Sequence, residues 1–348
     1  MISLFFKATD ITGIRDHPGA YGDVVLAPIE ATHAMTLNGE CILEVTIDKR
    51  VDASWEFIDT GDVFFAPVPW SAYRQLFRCY EFDKGSNRRA VFYCRHILFD
   101  LAGYTIVDTR PTMQNGQGAL TTALAGTPFS AHSNITATST AYWVRKKVTE
   151  ALWSDDDNSF ASRWGGEYLC DNYDLYINEK VGTDRGVRIE YRRNLQEIKV
   201  NKSEDDVVTR IIPVGYDGIM LDGDTPWVDS PLISTYPARH DGVIAFDDIK
   251  YDPDDDEAYH TLATAQAAMV ARCKQIFADG IDKPSISYDV SMVDLSKLDA
   301  YKDYKVLETV SIGDTVHVSD DELDINVDTR VIAYEYDWSY VNKKHSLK

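Results

Sequence analysis

At 348 residues the chain exceeds one ordinary core and suits about two to four domains. A hydrophobic content of 44% argues against large-scale disorder. Asp and Glu number 56 against 35 Lys and Arg, a formal net charge of −21. Such a surface repels phosphate backbones and disfavours nucleic-acid binding unless the basic residues cluster.

The opening Met1-Ile2-Ser3-Leu4-Phe5-Phe6-Lys7 lacks a basic n-region and a long apolar stretch. No segment reaches transmembrane length, so nothing argues for secretion or membrane insertion. Cys41, Cys79, Cys94, Cys170 and Cys273 are scattered, odd in number and never spaced Cys-x-x-Cys, which suits reduced, mostly buried thiols.

The first hundred residues read as strands. Cys41, Leu43, Val45 and Ile47 alternate with Ile42, Glu44, Thr46 and Asp48, the period-two signal of a sheet with one face more buried. Further strands are expected at Val63–Phe65, Gln75–Phe82 and Ala90–Tyr93, the last two joined by the turn-like Asp83-Lys84-Gly85-Ser86-Asn87. An antiparallel barrel or sandwich follows.

From Arg95 to Gly103 the residues Ile97, Leu98 and Leu101 stand at helical spacing, and Ala119–Ala125 offers a second short helix stopped by Gly126. A third helix carries Val144, Val148, Ala151 and Leu152 on one face, with Thr138, Ser139 or Thr140 as its cap. Strands return at Glu167–Leu169, Tyr173–Ile177, Val187–Tyr191 and Val207–Val214. The clearest helix spans 252–280: Asp252 caps, Pro253 takes the first position, Asp254–Glu257 face the positive dipole end, and Ala258, Leu262, Ala265, Met269, Cys273 and Ile276 form the apolar stripe. Ile286, Tyr288, Val290 and Met292 alternate again, and strands continue through Thr315–Val318 and Arg330–Asp337.

Two distant stretches are alike. Gly61-Asp62 is followed by Tyr80-Glu81-Phe82-Asp83, and Gly313-Asp314 is followed at nearly the same distance by Tyr334-Glu335-Tyr336-Asp337. Self-similarity in fixed order points to a duplicated β domain, with a helix-bearing segment inserted into the later copy. The expected organisation is α+β and multidomain. A first β-barrel covers 1–95, a mixed α/β part covers 96–185 with about 226–300, and a second β-barrel covers 186–225 with 301–348.

Catalytic signatures are missing: no Gly-x-Ser-x-Gly, His-Glu-x-x-His, Walker, Gly-x-Gly-x-x-Gly or EF-hand spelling occurs. The eight histidines are not paired at metal-ligand spacing. Asp155-Asp156-Asp157, Asp247-Asp248 and Asp252–Glu257 could supply calcium ligands or a glycosidase acid and base, but solvated acids near helix ends explain them better. We therefore assign no catalytic, cofactor-binding or metal residue. Sugar stacking on an exposed Trp such as Trp143 or Trp227 is the binding-module alternative. A peptidoglycan hydrolase or endopeptidase is the enzymatic one, and it requires a pocket holding two titratable groups with opposed pKa shifts.

Gln75-Leu76-Phe77-Arg78-Cys79-Tyr80-Glu81-Phe82-Asp83 leading into Arg95-His96-Ile97-Leu98-Phe99-Asp100-Leu101 resembles the N-terminal signature of prophage tail proteins, the minor structural protein or prophage endopeptidase tail group. Arg163-Trp164-Gly165-Gly166-Glu167-Tyr168, Asp171-Asn172-Tyr173, Arg185–Tyr191, Asn194-Leu195 and Val208–Gly215 resemble its central block. Asp294-Leu295, Ile312–Val316 and Arg330-Val331 through Glu335-Tyr336-Asp337 resemble its closing block. The likeness is patchy over 1–70 and good from about 75 onward.

The resemblance implies a tail-tip hub similar to the baseplate hub of contractile-tailed phages. In that fold three subunits with two related barrels each form a pseudo-sixfold ring around a DNA channel. It implies a homotrimer that meets a distal tail protein and tape-measure or tail-tip proteins, is assembled in the host cytoplasm, needs no cofactor, and lets DNA pass without specific binding. In long members cell-wall-degrading or host-binding modules follow the hub. The chain ends without one at Lys343-Lys344-His345-Ser346-Leu347-Lys348, as either a short natural hub or the N-terminal part of a longer protein.

Overall fold

Alternation does form the first sheet. In the computed structural model, which describes residues 2–7, 11–12, 22–69, 71, 73–191, 193–255, 258–292, 310–320, 325–338 and 345–347, the chain begins with β1 (Ile2–Phe5), β2 (Val24–Leu26), β3 (Glu30–Thr36), β4 (Cys41–Asp48), β5 (Val63–Ala66), β6 (Gln75–Asp83) and β7 (Arg89–His96). Cys41, Leu43 and Val45 are buried while Glu44 is exposed, so the period of two selects the inner face of β4. All five cysteines are buried thiols. His17, Asp294-Leu295, Asp256 and Glu257 lie outside the described residues.

The middle segment folds onto the opposite face of that sheet, the one carrying Val63, Phe65 and Leu76. A 3₁₀ turn covers Ile97–Gly103, followed by β8 (Thr105–Thr109), β9 (Gln114–Asn115), α1 (Gly116–Ala123), β10 (Ser130–His132), β11 (Thr138–Ser139), β12 (Trp143–Lys147), α2 (Val148–Trp153), α3 (Phe160–Trp164), β13 (Glu167–Asp171) and β14 (Asp174–Asn178). Phe65 and Leu76 of the sheet share one core with Leu98, Leu120, Trp143, Leu152, Phe160 and Trp164. Fully burying a side chain of this size contributes about 1.5–3 kcal/mol. Gly116 is where α1 meets this layer, because a Cβ there would lie 2.7 Å from that of Ile135.

The expected helix through Val144 begins later than its spacing suggests. Val144 pairs with Asp108 across β12 and β8, and α2 starts only where the Glu150 carboxylate accepts the Lys147 N–H at 3.0 Å. The Thr138–Ser139 cap is likewise a strand, paired with Gln114–Asn115.

Further on lie β15 (Asp184–Glu190), β16 (Leu195–Ser203), β17 (Arg210–Gly215), β18 (Val228–Asp229), β19 (Asp241–Phe246), α4 (Leu262–Ala278) and β20 (Ser285–Met292). Two compact units result, one of 1–198 with 289–348 and one of 199–288. In the second, β17 pairs parallel with β19 and antiparallel with β18. Ile211, Phe246, Ala265, Met269, Cys273 and Phe277 form its core. Residues 199–225 thus lie in the helix-bearing unit, where the sequence reading grouped them with a second barrel.

That helix is shorter than the expected 252–280. Thr261 is its cap, accepting the Thr264 N–H, and Asp252 and Pro253 sit in a preceding turn. There the Asp252 carboxylate accepts the Asp254 N–H, and Lys250 reaches both Asp252 and Asp255. Short acidic side chains that bond the local backbone compete with helix, and Lys250 holds the turn against it.

The chain ends with β21 (Thr315–Asp320), β22 (Ile325–Arg330), β23 (Ala333–Asp337) and β24 (His345–Leu347). The largest sheet has the order β16-β20-β24-β23-β3-β4-β7-β6-β5-β1-β2, and β15-β21-β22 form a smaller one. Only Val331 and Ile332 separate β22 from β23. Taking those two as one bent strand, β16-β20-β24-β23/β22-β21 repeats the order β3-β4-β7-β6-β5. Where β3 and β4 are joined by Leu37–Glu40, β16 and β20 are separated by residues 204–284, most of the second unit. The two copies share one sheet through the β23–β3 pairing.

Candidate functional site

The doubled Gly-Asp turns are built alike, bond for bond. Gly61 adopts φ +93° and Gly313 φ +81°, left-handed conformations that favour glycine. Gly61 N–H donates to the Cys79 carbonyl and Cys79 N–H to that of Asp62. Gly313 N–H donates to the Val331 carbonyl and Val331 N–H to that of Asp314. The strands that follow share a register, Val63 opposite Arg78 and Ala66 opposite Gln75, then Thr315 opposite Arg330 and Val318 opposite Val327.

Each aspartate is buried and serves two backbone amides. Asp62 accepts from Lys7 N–H and Asp59 N–H, both at 2.8 Å. Asp314 accepts from Thr183 N–H and Ser311 N–H, both at 2.9 Å. Each glycine carbonyl receives an arginine: Arg78 Nη1 donates to Gly61 at 2.7 Å and Arg330 Nε to Gly313 at 2.9 Å. Both guanidinium groups then fork a carboxylate of the middle segment, Asp100 for Arg78 and Glu167 for Arg330. The Arg330 hydrogen bond holds the Glu167 carboxyl below its ordinary range. Each arginine stands at one fixed distance after its Gly-Asp pair, a repeat that pairs it with the turn as firmly as the glycine and aspartate.

The copies differ in two ways. β1 runs antiparallel to β5, whereas β15 runs parallel to β21. The Tyr-Glu-aromatic-Asp strands also meet different neighbours. Tyr334 and Tyr336 pair with Met35 and His33 of β3 and are each 6% exposed, while Tyr80 and Phe82 are 41% and 36% exposed.

Residues considered for chemistry are not brought together. Trp143 is fully buried, with Nε1 donating to the Asn158 carbonyl, which corrects its reading as an exposed sugar platform. Trp227 lies under the Arg210 guanidinium, 4.2 Å from the ring centroid. Asp156 pairs with Lys146 and accepts the Asn158 N–H. Among the described residues no cluster of three His, Cys, Asp or Glu side chains could hold a metal ion. A groove of about 360 Å³ beside Leu169, Tyr176 and Lys180 has a single carboxylate, Asp171, among its lining residues, where glycoside cleavage needs two. No helix among the described residues is long and apolar enough to cross a membrane.

His317 makes the one carboxylate-flanked imidazole of the second hairpin, with Nδ1 2.5 Å from Asp328 Oδ1 and Nε2 3.1 Å from Asp184 Oδ1. The Asp328 hydrogen bond, then that of Asp184, raises its pKa above 6.5. A raised value stabilises the fold fully below the unfolded pKa and is lost as pH rises through the folded one. NMR titration of this imidazole is expected to give a midpoint above 6.5, falling on Asp328→Asn. A midpoint at or below 6.5 in the unaltered chain contradicts the geometry.

The family described as prophage endopeptidase tail has a model that matches residues 183–348, the portion holding the second Gly-Asp hairpin. The chain resembles prophage tail proteins. A tail protein from Neisseria meningitidis MC58 is similar at TM-score 0.62 and 12% identity, with 92% of this chain and 90% of that one covered. The prophage MuSo2 43 kDa tail protein from Shewanella oneidensis gives 0.61 at 11% identity, covering 94% and 95%. Prophage tail protein gp18 from Listeria monocytogenes EGD-e gives 0.55 at 14%, covering 91% and 87%. No curated protein matches. At these identities the likeness establishes a shared, β-rich prophage tail-protein fold along nearly the whole chain.

Proposed function

We propose that the chain is a structural component of a phage or prophage tail tip, a baseplate hub in which three copies close a pseudo-sixfold ring around the DNA channel. The observation that carries this reading is the doubling: one strand order and one Gly-Asp-Arg hairpin occur twice in a single subunit. Three such subunits present six similar units, which lets a threefold object sit against sixfold tail rings through heterologous contacts that close. The net charge of −21 suits a wall past which DNA moves without adhering. Its partners on this reading are further copies of itself, a distal tail protein, and tape-measure or tail-tip proteins.

Work of this kind needs no catalytic residue; any endopeptidase activity would belong to a separate module. Electron microscopy of assembled tail tips is expected to show three copies of this chain around the tail axis. Six copies, or a single one, would sink the proposal.

A further inference from the structure

The two copies differ at one edge, and the difference has a direction. In the second copy the strand that follows Arg330 is covered by β3: beyond the paired residues, Leu37 N–H donates to the Ile332 carbonyl and Trp338 N–H to the Ala31 carbonyl, both at 2.8 Å, and Tyr334 and Tyr336 are buried. In the first copy β5 accompanies β6 only as far as the Cys79–Asp62 bond. Beyond it, among the described residues, Tyr80–Asp83 has β7 on one side and no strand on the other. All four residues are exposed. An uncovered edge carrying aromatic side chains is a template for another strand.

Resting on the ring reading above, we infer that this edge receives β16 from a second copy of the chain. The doubled strand order names that strand. Inside one subunit β23 receives β3; the counterpart of β23 is the outer half of β6, and the counterpart of β3 is β16. Among the described residues β16 stands at the end of the large sheet's order. Glu81 and Asp83 on β6 face a strand that carries Lys199 and Lys202 against a single carboxylate, Glu197, so the net charges are complementary. The contact is heterologous, β6 of one subunit with β16 of the next. Repeated around an axis it alternates with the internal β23–β3 joint, and a ring of three closes with every such edge covered.

The test places a photo-crosslinking benzoylphenylalanine at Tyr80 or, separately, at Phe82 in assembled tail tips. Both positions are exposed, so folding tolerates the change. Irradiation is expected to give a covalent species of twice the chain's mass, with the linked peptide mapping to 195–203 of another copy. Links within the same chain, to a different protein or to another segment overturn the edge assignment. If three copies still surround the axis in those particles, the ring reading stands without it; if they do not, both fall.

Discussion

Replacing Asp314 by Ala is expected to remove about 1–3 kcal/mol of stability, because one buried amide donor loses its acceptor at about 1–3 kcal/mol, and a second, half-buried one loses its acceptor at smaller cost. Those donors are the N–H groups of Thr183 and Ser311. Arg185, whose Nε lies 3.6 Å from the carboxylate, loses its counter-charge as well. Asp62→Ala is expected to act alike through the Lys7 and Asp59 amides. Asp314→Asn keeps one acceptor oxygen and costs less. Hydrogen exchange localises the effect: Thr183 and Ser311 lose protection in the Asp314 variant, and Lys7 and Asp59 in the Asp62 variant. A loss below about 0.5 kcal/mol, the range of ordinary surface substitutions, would show that the turns do not depend on these carboxylates.

Much of this fold is legible in the sequence. The alternation in Cys41–Val45 and the turn-rich Asp83–Asn87 placed β4 and the β6–β7 hairpin, because both signals are local. Gly-Asp was visible twice because a left-handed glycine and a short acceptor are hard to replace in such a turn. What escaped was non-local. Tyr334 meets Met35 across almost the entire length of the chain, and no period in the sequence encodes that pairing. The start of α4 was misplaced because acids after a proline suit a helix's first turn and a lysine-bridged loop equally well; Lys250 decides between them. Trp143 looked available to sugars because aromatic content says nothing about which ring a core will claim. For the candidate site, the Gly-Asp pairs and the spacing of their arginines are legible and the role of those arginines is not, since the carboxylates that make Arg78 and Arg330 informative come from a different part of the chain.

Acid is expected to weaken the first unit well before its paired carboxylates titrate. His33 and His96 are buried, and burial pulls both pKa values down to about 3, with the charge of His96 adding to the effect at His33. His96 is held neutral by its contacts: Nδ1 accepts the Leu98 N–H and Nε2 lies 3.1 Å from Gln75 Oε1, which fixes the proton on Nε2. The unfolded chain titrates these rings near 6.5, so above that pH neither state binds the proton and stability is flat. Below it the unfolded chain takes up protons that the fold refuses, and stability falls by up to about 1.4 kcal/mol per pH unit for each ring. Over pH 6.5 to 4.5 the two together cost about 5 kcal/mol. His317, with its raised pKa, contributes in the opposite sense and only at the upper end of this window, where the unfolded chain is still taking up its proton. Denaturant unfolding at stepped pH is expected to show uptake approaching two protons, and His96→Asn to remove about one. An imidazole signal from either ring titrating near 6.5 in the folded chain would defeat the prediction. The loss falls at the joint between β23 and β3, because His33 lies 5.4 Å from the Tyr334 ring and 5.4 Å from that of Phe77. A charge on it is placed inside the β23–β3 joint that binds the two copies into one sheet.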